Sequence, residues 1–348
     1  MKKAGKIHHK DLHRFLLVRT DRIGDVILST PVAAALKTAF PHAHITLLAR
    51  DLTRVIGERN RWIDRVITLE GDPDGGQNFF DLVSILRKES FDCAVVLHPT
   101  LRLAALLYFA GIPYRIGTAY RLYSFLFNVR HREHRKISTR HEVEYNLGLL
   151  EPLNVSVSEP QFHFDINDED NKTAEEILGR LPADVRTQFC VVHPGSGGSA
   201  ADWPTESFAS ACELFSRELH IPSIVTWGPG EQSHAEKIAE TSGGAAVMLP
   251  DILPLPALAA LLKRAVFVLA PSTGILHLAN VAGSPVIGLY PSVPHMSPRR
   301  WGPFGQLENA LVPETGDAVG KGSGSAALDT ISPEKVFDTA RRIVLKRK

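Results

Sequence analysis

Cysteine is scarce in this 348-residue sequence: Cys93, Cys190 and Cys212 stand far apart, with no CxxC spacing. Neither a disulfide framework nor a thiolate metal site organises such a chain. Cys93 and Cys190 sit in apolar runs and read as small buried hydrophobes. Long hydrophobic runs are also missing. The longest uncharged apolar stretch, 252–262, contains two prolines and falls well short of the roughly 20 residues a spanning helix needs. Four apolar residues at 15–18 are too few for a signal-peptide core. A soluble, cytoplasmic protein is expected, with peripheral contact at the inner face of the plasma membrane left open. Charge of one sign is lacking too. The net charge of +1 provides no global field to recruit nucleic acid, so any basic site must be local. GxGxxG with a downstream acid is absent, which argues against an NAD-dependent oxidoreductase, and so is the lysine of a P-loop.

What is present is alternation. Short apolar runs at 15–19, 44–49, 65–69 and 93–98 are separated by helical patterns near 25–40, 51–58, 78–89 and 100–110. A second series has runs at 189–193, 223–227, 245–249, 266–270 and 285–290. Its helical segments lie near 204–219, 231–240, 254–264 and 274–282. Continuous apolar runs read as parallel strands buried on both faces, and the alternation as βαβ units. The stretch 152–188, with three prolines and an acidic helix candidate at 168–179, reads as the inter-domain connection. The expected domains are 1–160 and 161–332. A closing helix at 333–345 is N-capped by Ser332 with Pro333 at its first position and is free to return to the first domain. In such sheets ligands bind beyond the carboxyl ends of the strands.

Three motifs fall at strand ends. In the first, residues 19–26, Asp25 lies in the first turn of a helix after Gly24. It serves either as a helix-start acid favoured by the dipole or as a general base at a strand end. The second runs from His193 through Ser196 to Ser199, then Trp203-Pro204. Its small residues let backbone N–H groups approach an anion; the alternative is a turn anchored by Trp203. The third joins strand to helix with Ser272, Thr273, Gly274 and Ile275, then His277. Free N–H groups and hydroxyls at a helix start suit phosphate, with His277 in reach of a phosphate oxygen.

Two DxD pairs, Asp72/Asp74 and Asp168/Asp170, are assigned local structural roles, and no metal is expected. A basic run from Arg115 through Arg121 and Arg130 to His141 is interleaved with Tyr114, Tyr120, Tyr123, Phe125 and Phe127. A solvated face is the ordinary reading. A nucleic-acid surface and an anionic glycolipid acceptor are the other two, and the glycolipid explains the charges and the rings together.

With these motifs in order, the sequence resembles glycosyltransferase family 9, the ADP-heptose:lipopolysaccharide heptosyltransferases. The segments carrying the resemblance are RTDRIGDVILSTPV (19–32), GIPYRIGTAYRLYSFLFN (111–128), RHEVEYNLGLLEPL (140–153), HPGSGGSAADWPTESF (193–208) and STGILHLANVAGSPVIGLYP (272–291). The resemblance implies a GT-B fold: two Rossmann-like α/β domains with parallel sheets facing across a cleft. It also implies inverting, metal-independent transfer of heptose from ADP-heptose, with no cofactor, onto the inner core of lipopolysaccharide. By position, Asp25 matches the catalytic base. Thr273, Gly274, Ile275 and His277 match the diphosphate turn, Glu231 a ribose contact, and Leu253 falls near the adenine wall. Ser196 and Ser272 complete the expected donor side; Arg22, Arg115, Arg121 and Arg130 form the expected acceptor side. Two departures stand out: Ser272 where family members often carry Asp, and Ala201 where many carry Lys or Arg, with Arg22 or Lys263 as substitutes for the lost charge. The alternatives are another nucleotide sugar as donor, or a non-catalytic sugar-nucleotide-binding module.

Overall fold

The structure is a computed structural model that describes residues 12–69, 78–198, 202–313 and 328–347. It divides into two compact units, one ending at Asp165 and the other beginning at Ile166.

In the first unit β1 (Arg14–Val18), β2 (His44–Arg50), β3 (Arg65–Leu69), β4 (Cys93–Val96), β5 (Tyr114–Thr118) and β6 (Val129–His131) form a sheet. Their order is β3-β2-β1-β4-β5-β6, and each neighbouring pair is parallel. The helices are α1 (Ile23–Ile27), α2 (Pro31–Ala39), α3 (Arg54–Glu58), α4 (Phe79–Lys88), α5 (Leu101–Phe109) and α6 (Glu142–Gly148). The central strands β1 and β4 are covered on both faces, which is why they read as unbroken apolar runs. At the sheet's edge, β5 and β6 carry Arg115 and Arg130 and are partly exposed. They lack the two-faced apolar signature, so the sequence pattern did not disclose them.

The second unit repeats the plan. Helices α7 (Asp168–Gly179) and α8 (Ala183–Thr187) precede it. The strands are β7 (Cys190–Val192), β8 (Ser223–Val225), β9 (Ala246–Met248), β10 (Val268–Pro271), β11 (Val286–Leu289) and β12 (Ala310–Leu311). The order β12-β11-β10-β7-β8-β9 is the same winding as in the first sheet, again with parallel pairs. Between them run α9 (Thr205–Leu219), α10 (Gln232–Thr241), α11 (Leu255–Arg264), α12 (Gly274–Val281) and α13 (Pro298–Trp301), and α14 (Pro333–Arg347) closes the chain.

One expectation needs correction. The single helix near 25–40 is broken, because Pro31 has no N–H to continue α1 and instead opens α2. The closing helix α14 belongs to the second unit. Val336, Ala340 and Ile343 of α14 join Trp203, Phe208, Phe215 and Leu289 in the second unit's core. The three cysteines are free and buried. Burial pushes the Cys93 and Cys190 thiols up, and that of Cys212 to about 12, so all three stay protonated. Among the described residues, no helix is long and apolar enough to cross a membrane.

Candidate active site

In each sheet the winding reverses between the two central strands, β1 and β4 in the first and β7 and β10 in the second. Loops leaving such neighbours part to opposite faces and open a crevice at the carboxyl edge. The sequence motifs lie there: residues 19–25 after β1, 193–198 after β7, and 272–274 after β10.

After β1 the chain makes a short loop into α1. Arg22 is the N-cap residue but provides no side-chain cap, and it is exposed. Asp25 lies in the first turn. Its Oδ1 accepts a 2.6 Å bond from Nη2 of Arg19, and 19% of its side-chain surface remains exposed. Arg19 is buried, 2% exposed, and divides itself among carboxylates. Its Nε donates to Asp21 Oδ1 at 2.7 Å, and its Nη1 donates to Glu142 Oε1 at 3.2 Å. Burial works against the Arg19 charge, but Asp21, Asp25 and Glu142 outweigh it and hold the pKa above the ordinary arginine value. Burial likewise raises the Asp25 carboxyl above the usual range; Arg19 pulls it down, while Asp21 and Glu142 push it further up. A carboxylate moved towards neutral pH, beside a strand end, is suited to accepting a proton.

In the second unit the expected donor residues line contiguous strand ends. Ser196 follows β7, Glu231 follows β8, Leu253 follows β9, and Ser272 to Gly274 follow β10. Thr273 N-caps α12, its hydroxyl accepting from the Leu276 N–H at 3.4 Å. His277 and Leu253 are buried, and Ile275 is too. Glu231 ties two loops together, accepting from the N–H groups of Gly197 and Gly228 at 2.9 Å each. A Cβ at Gly195 would lie 2.0 Å from that carboxylate, so a side chain there would displace it. His193 Nε2 is 4.0 Å from Glu231, and its Nδ1 pairs with the Thr226 hydroxyl at 3.0 Å. Burial lowers the imidazole to about 4 against the pull of Glu231, so it is neutral at pH 7.

Trp203 has a structural role: 1% exposed, it donates its indole N–H to Ile331 O at 2.9 Å. Lys263 cannot substitute for the basic residue missing at Ala201. It is in the last turn of α11, and that end feeds the amino end of β10, opposite the motif loops. Ala201 itself, like the pair Asp72/Asp74, lies outside the described residues. Asp170 is used locally, in a capping box with Asn167. Among the described residues, no group of three or more His, Cys, Asp or Glu side chains is placed to hold a metal.

The basic run separates into two kinds of residue. Arg115 is half-buried and donates to the carbonyls of Leu126 and Ile112, with its guanidinium over the Tyr108 ring. Arg140 pairs with Glu133, and Arg135 with Glu142 at 2.7 Å. Arg121 and Arg130 are exposed, Arg130 donating to the nearby Phe127 carbonyl. Sequence reasoning missed Glu142 and Asn146, and took Arg135 only as part of the basic run. The signal was available: Glu142 and Asn146 are four apart in the segment 140–153, hence on one helical face.

The chain thus has two identically wound Rossmann-like units, one presenting a perturbed carboxylate and the other small-residue loops over adjacent strands. The profile of glycosyltransferase family 9 (heptosyltransferase) matches residues 79–322, and the chain belongs to that family. It is a glycosyltransferase. Lipopolysaccharide heptosyltransferase 3 of Escherichia coli K12 is 25% identical over 300 residues, covering 80% of this chain and 82% of that one. A family 9 glycosyl transferase from Veillonella parvula superposes with a TM-score of 0.81 at 25% identity, over 99% of this chain and 100% of the other. ADP-heptose lps heptosyltransferase II of E. coli gives a TM-score of 0.77 at 19% identity, over 96% and 99%.

Proposed function

We propose that this glycosyltransferase moves a heptose from ADP-heptose onto the inner core of lipopolysaccharide, with inversion and without a metal. The observation that carries the reading is Asp25: a partly exposed carboxylate at the end of β1, raised by burial and bonded to Arg19. In the reaction Asp25 takes the proton of an acceptor hydroxyl as its oxygen bonds to the anomeric carbon. The bond from that carbon to the diphosphate breaks, and ADP leaves with the electron pair. N–H groups at the start of α12 and the His277 ring then stabilise the phosphate charge. Glu231 and Leu253 are assigned to the nucleoside, and Ser196 and Ser272 to the diphosphate side. On the acceptor side, Arg121 and Arg130 hold the anionic inner core, with Arg22 near the base. Arg115 supports that surface from behind.

The names of the relatives support heptose and lipopolysaccharide as sugar and acceptor. Ser272, standing where family members often have Asp, favours a second reading in which another nucleotide sugar is the donor. A panel of ADP-, UDP- and GDP-sugars, offered with inner-core acceptor and read by mass spectrometry, separates the two. Transfer from ADP-heptose alone is expected; turnover with a UDP- or GDP-sugar and none with ADP-heptose would reject the donor assignment.

A further inference from the structure

We propose that Arg19 and Glu142 are positioning residues for the base, a buried clamp that fixes the Asp25 carboxylate and sets the pH at which it works. The inference rests on the reading of Asp25 as the base. Its support is a closed circuit of bonds. Arg19 reaches Asp25 Oδ1 with Nη2 and Glu142 Oε1 and Asn146 Oδ1 with Nη1, at 3.2 and 3.4 Å. Asn146 turns its amide to Leu28 O and Ser29 Oγ, both at 3.2 Å, and Ser29 Oγ donates to the carbonyl of Asp25 at 2.7 Å. The side chain and the backbone of Asp25 are thus held from the same helix, α6, more than a hundred residues away in sequence. Oδ2 of Asp25 has no hydrogen-bond partner among the described residues.

The charges make the clamp suitable for a residue that must gain a proton. Glu142 is 1% exposed, and a carboxylate so buried requires compensation; Arg19 and Arg135 supply it. The groups facing Asp25 are Arg19 and Asp21 from its own loop and Glu142 from α6, with Arg135 behind Glu142. When Asp25 takes a proton, Arg19 keeps Asp21 and Glu142, so no buried guanidinium is left unpaired. Three carboxylates against two guanidinium groups leave one negative charge in excess, and the proton neutralises it.

The test is the acid limb of the kcat/KM profile, measured with Asp25→Asn in parallel. Glu142→Gln keeps an acceptor but removes a negative charge, which favours ionised Asp25. Its limb should move to lower pH by about 1 unit, the low end of what one neighbouring charge does. Arg19→Gln removes the positive charge, so its limb should move to higher pH, with kcat reduced and donor KM unchanged. Arg19→Lys should restore the limb but not kcat, because an ammonium cannot span three carboxylates as a planar fork does. A merely structural role lowers the folded fraction and does not shift the limbs in opposite directions. Should Arg19→Gln not purify folded, Glu142→Gln and Arg19→Lys decide alone, and an unmoved Glu142→Gln limb overturns the clamp. Full activity in Asp25→Asn would instead defeat the base reading itself, while an inactive Asp25→Asn with unmoved limbs would defeat only the clamp.

Discussion

The loop after β1 and the loop after β7 occupy equivalent places in two sheets of the same winding, with the loop after β10 beside the latter, yet the two sides are built from opposite materials. The first places charge on charge: Arg19 among Asp21, Asp25 and Glu142, with side-chain exposures of 3, 17, 19 and 1%. The second is made of glycine, serine and threonine, with backbone N–H groups and a neutral His193 at its base. A charge network in a poorly solvated site moves a pKa, which is what proton transfer requires. Backbone amides and hydroxyls hold an anion without titrating, which is what binding a diphosphate requires. One topology therefore supports two chemistries, because the strands fix where the loops are and the loop residues fix what they do.

Breaking each side separately sharpens this contrast. The largest effect is expected from Asp25→Asn, which keeps the shape and removes the base. Transfer should fall by about 10²–10⁴-fold, with ADP affinity by calorimetry unchanged; near-normal turnover would reduce Asp25 to a helix-start residue. Next comes the other sheet. His277→Ala should weaken ADP binding by roughly 10- to 150-fold, the value of about 1.5–3 kcal/mol for a hydrogen bond to a charged group. The ring is buried, so a thermal melt must show the variant folded before unchanged ADP affinity is counted against the phosphate role.

A smaller effect belongs to the exposed arginines of the first unit. Arg121 and Arg130 changed together to alanine should raise the acceptor KM by roughly 2- to 30-fold, as exposed ion contacts contribute about 0.2–1 kcal/mol each. Donor KM should stay put. Acceptor binding should weaken with salt, since exposed charges are screened over roughly 8 Å at physiological ionic strength. A change confined to donor KM would move these arginines to the nucleotide side. The smallest effect is none: activity should persist in excess EDTA, because Asp170 is spent on capping α7. Inhibition reversed by magnesium or manganese would show that a metal takes part.

Much of this was legible before any coordinates. Nine of the strands are short apolar runs, and covering a parallel strand on both faces leaves that signature whatever surrounds it. The motifs at Asp25, Thr273 and His277 could be placed because βα loops follow directly from local patterning. The strands β5, β6 and β12 were not legible, since β5 and β6 are partly exposed and β12 has only two residues. Ser29 and Thr30 preceded Pro31 in plain view, and the break between α1 and α2 there follows from one missing N–H.

By itself, then, the sequence determined the alternation of strands and helices, the positions of the loops at strand ends, and the residue types available there. Only the tertiary structure decided which of those residues act together. Glu142 is 123 positions from Arg19, and no periodicity links them; they meet because β1 and β4 pair in register and α6 packs beside α2. The same holds for α14, whose amphipathic pattern demanded a partner without naming one. Apolar burial is non-directional, so the pattern fixes how much surface must be covered, and the packed fold chooses what covers it.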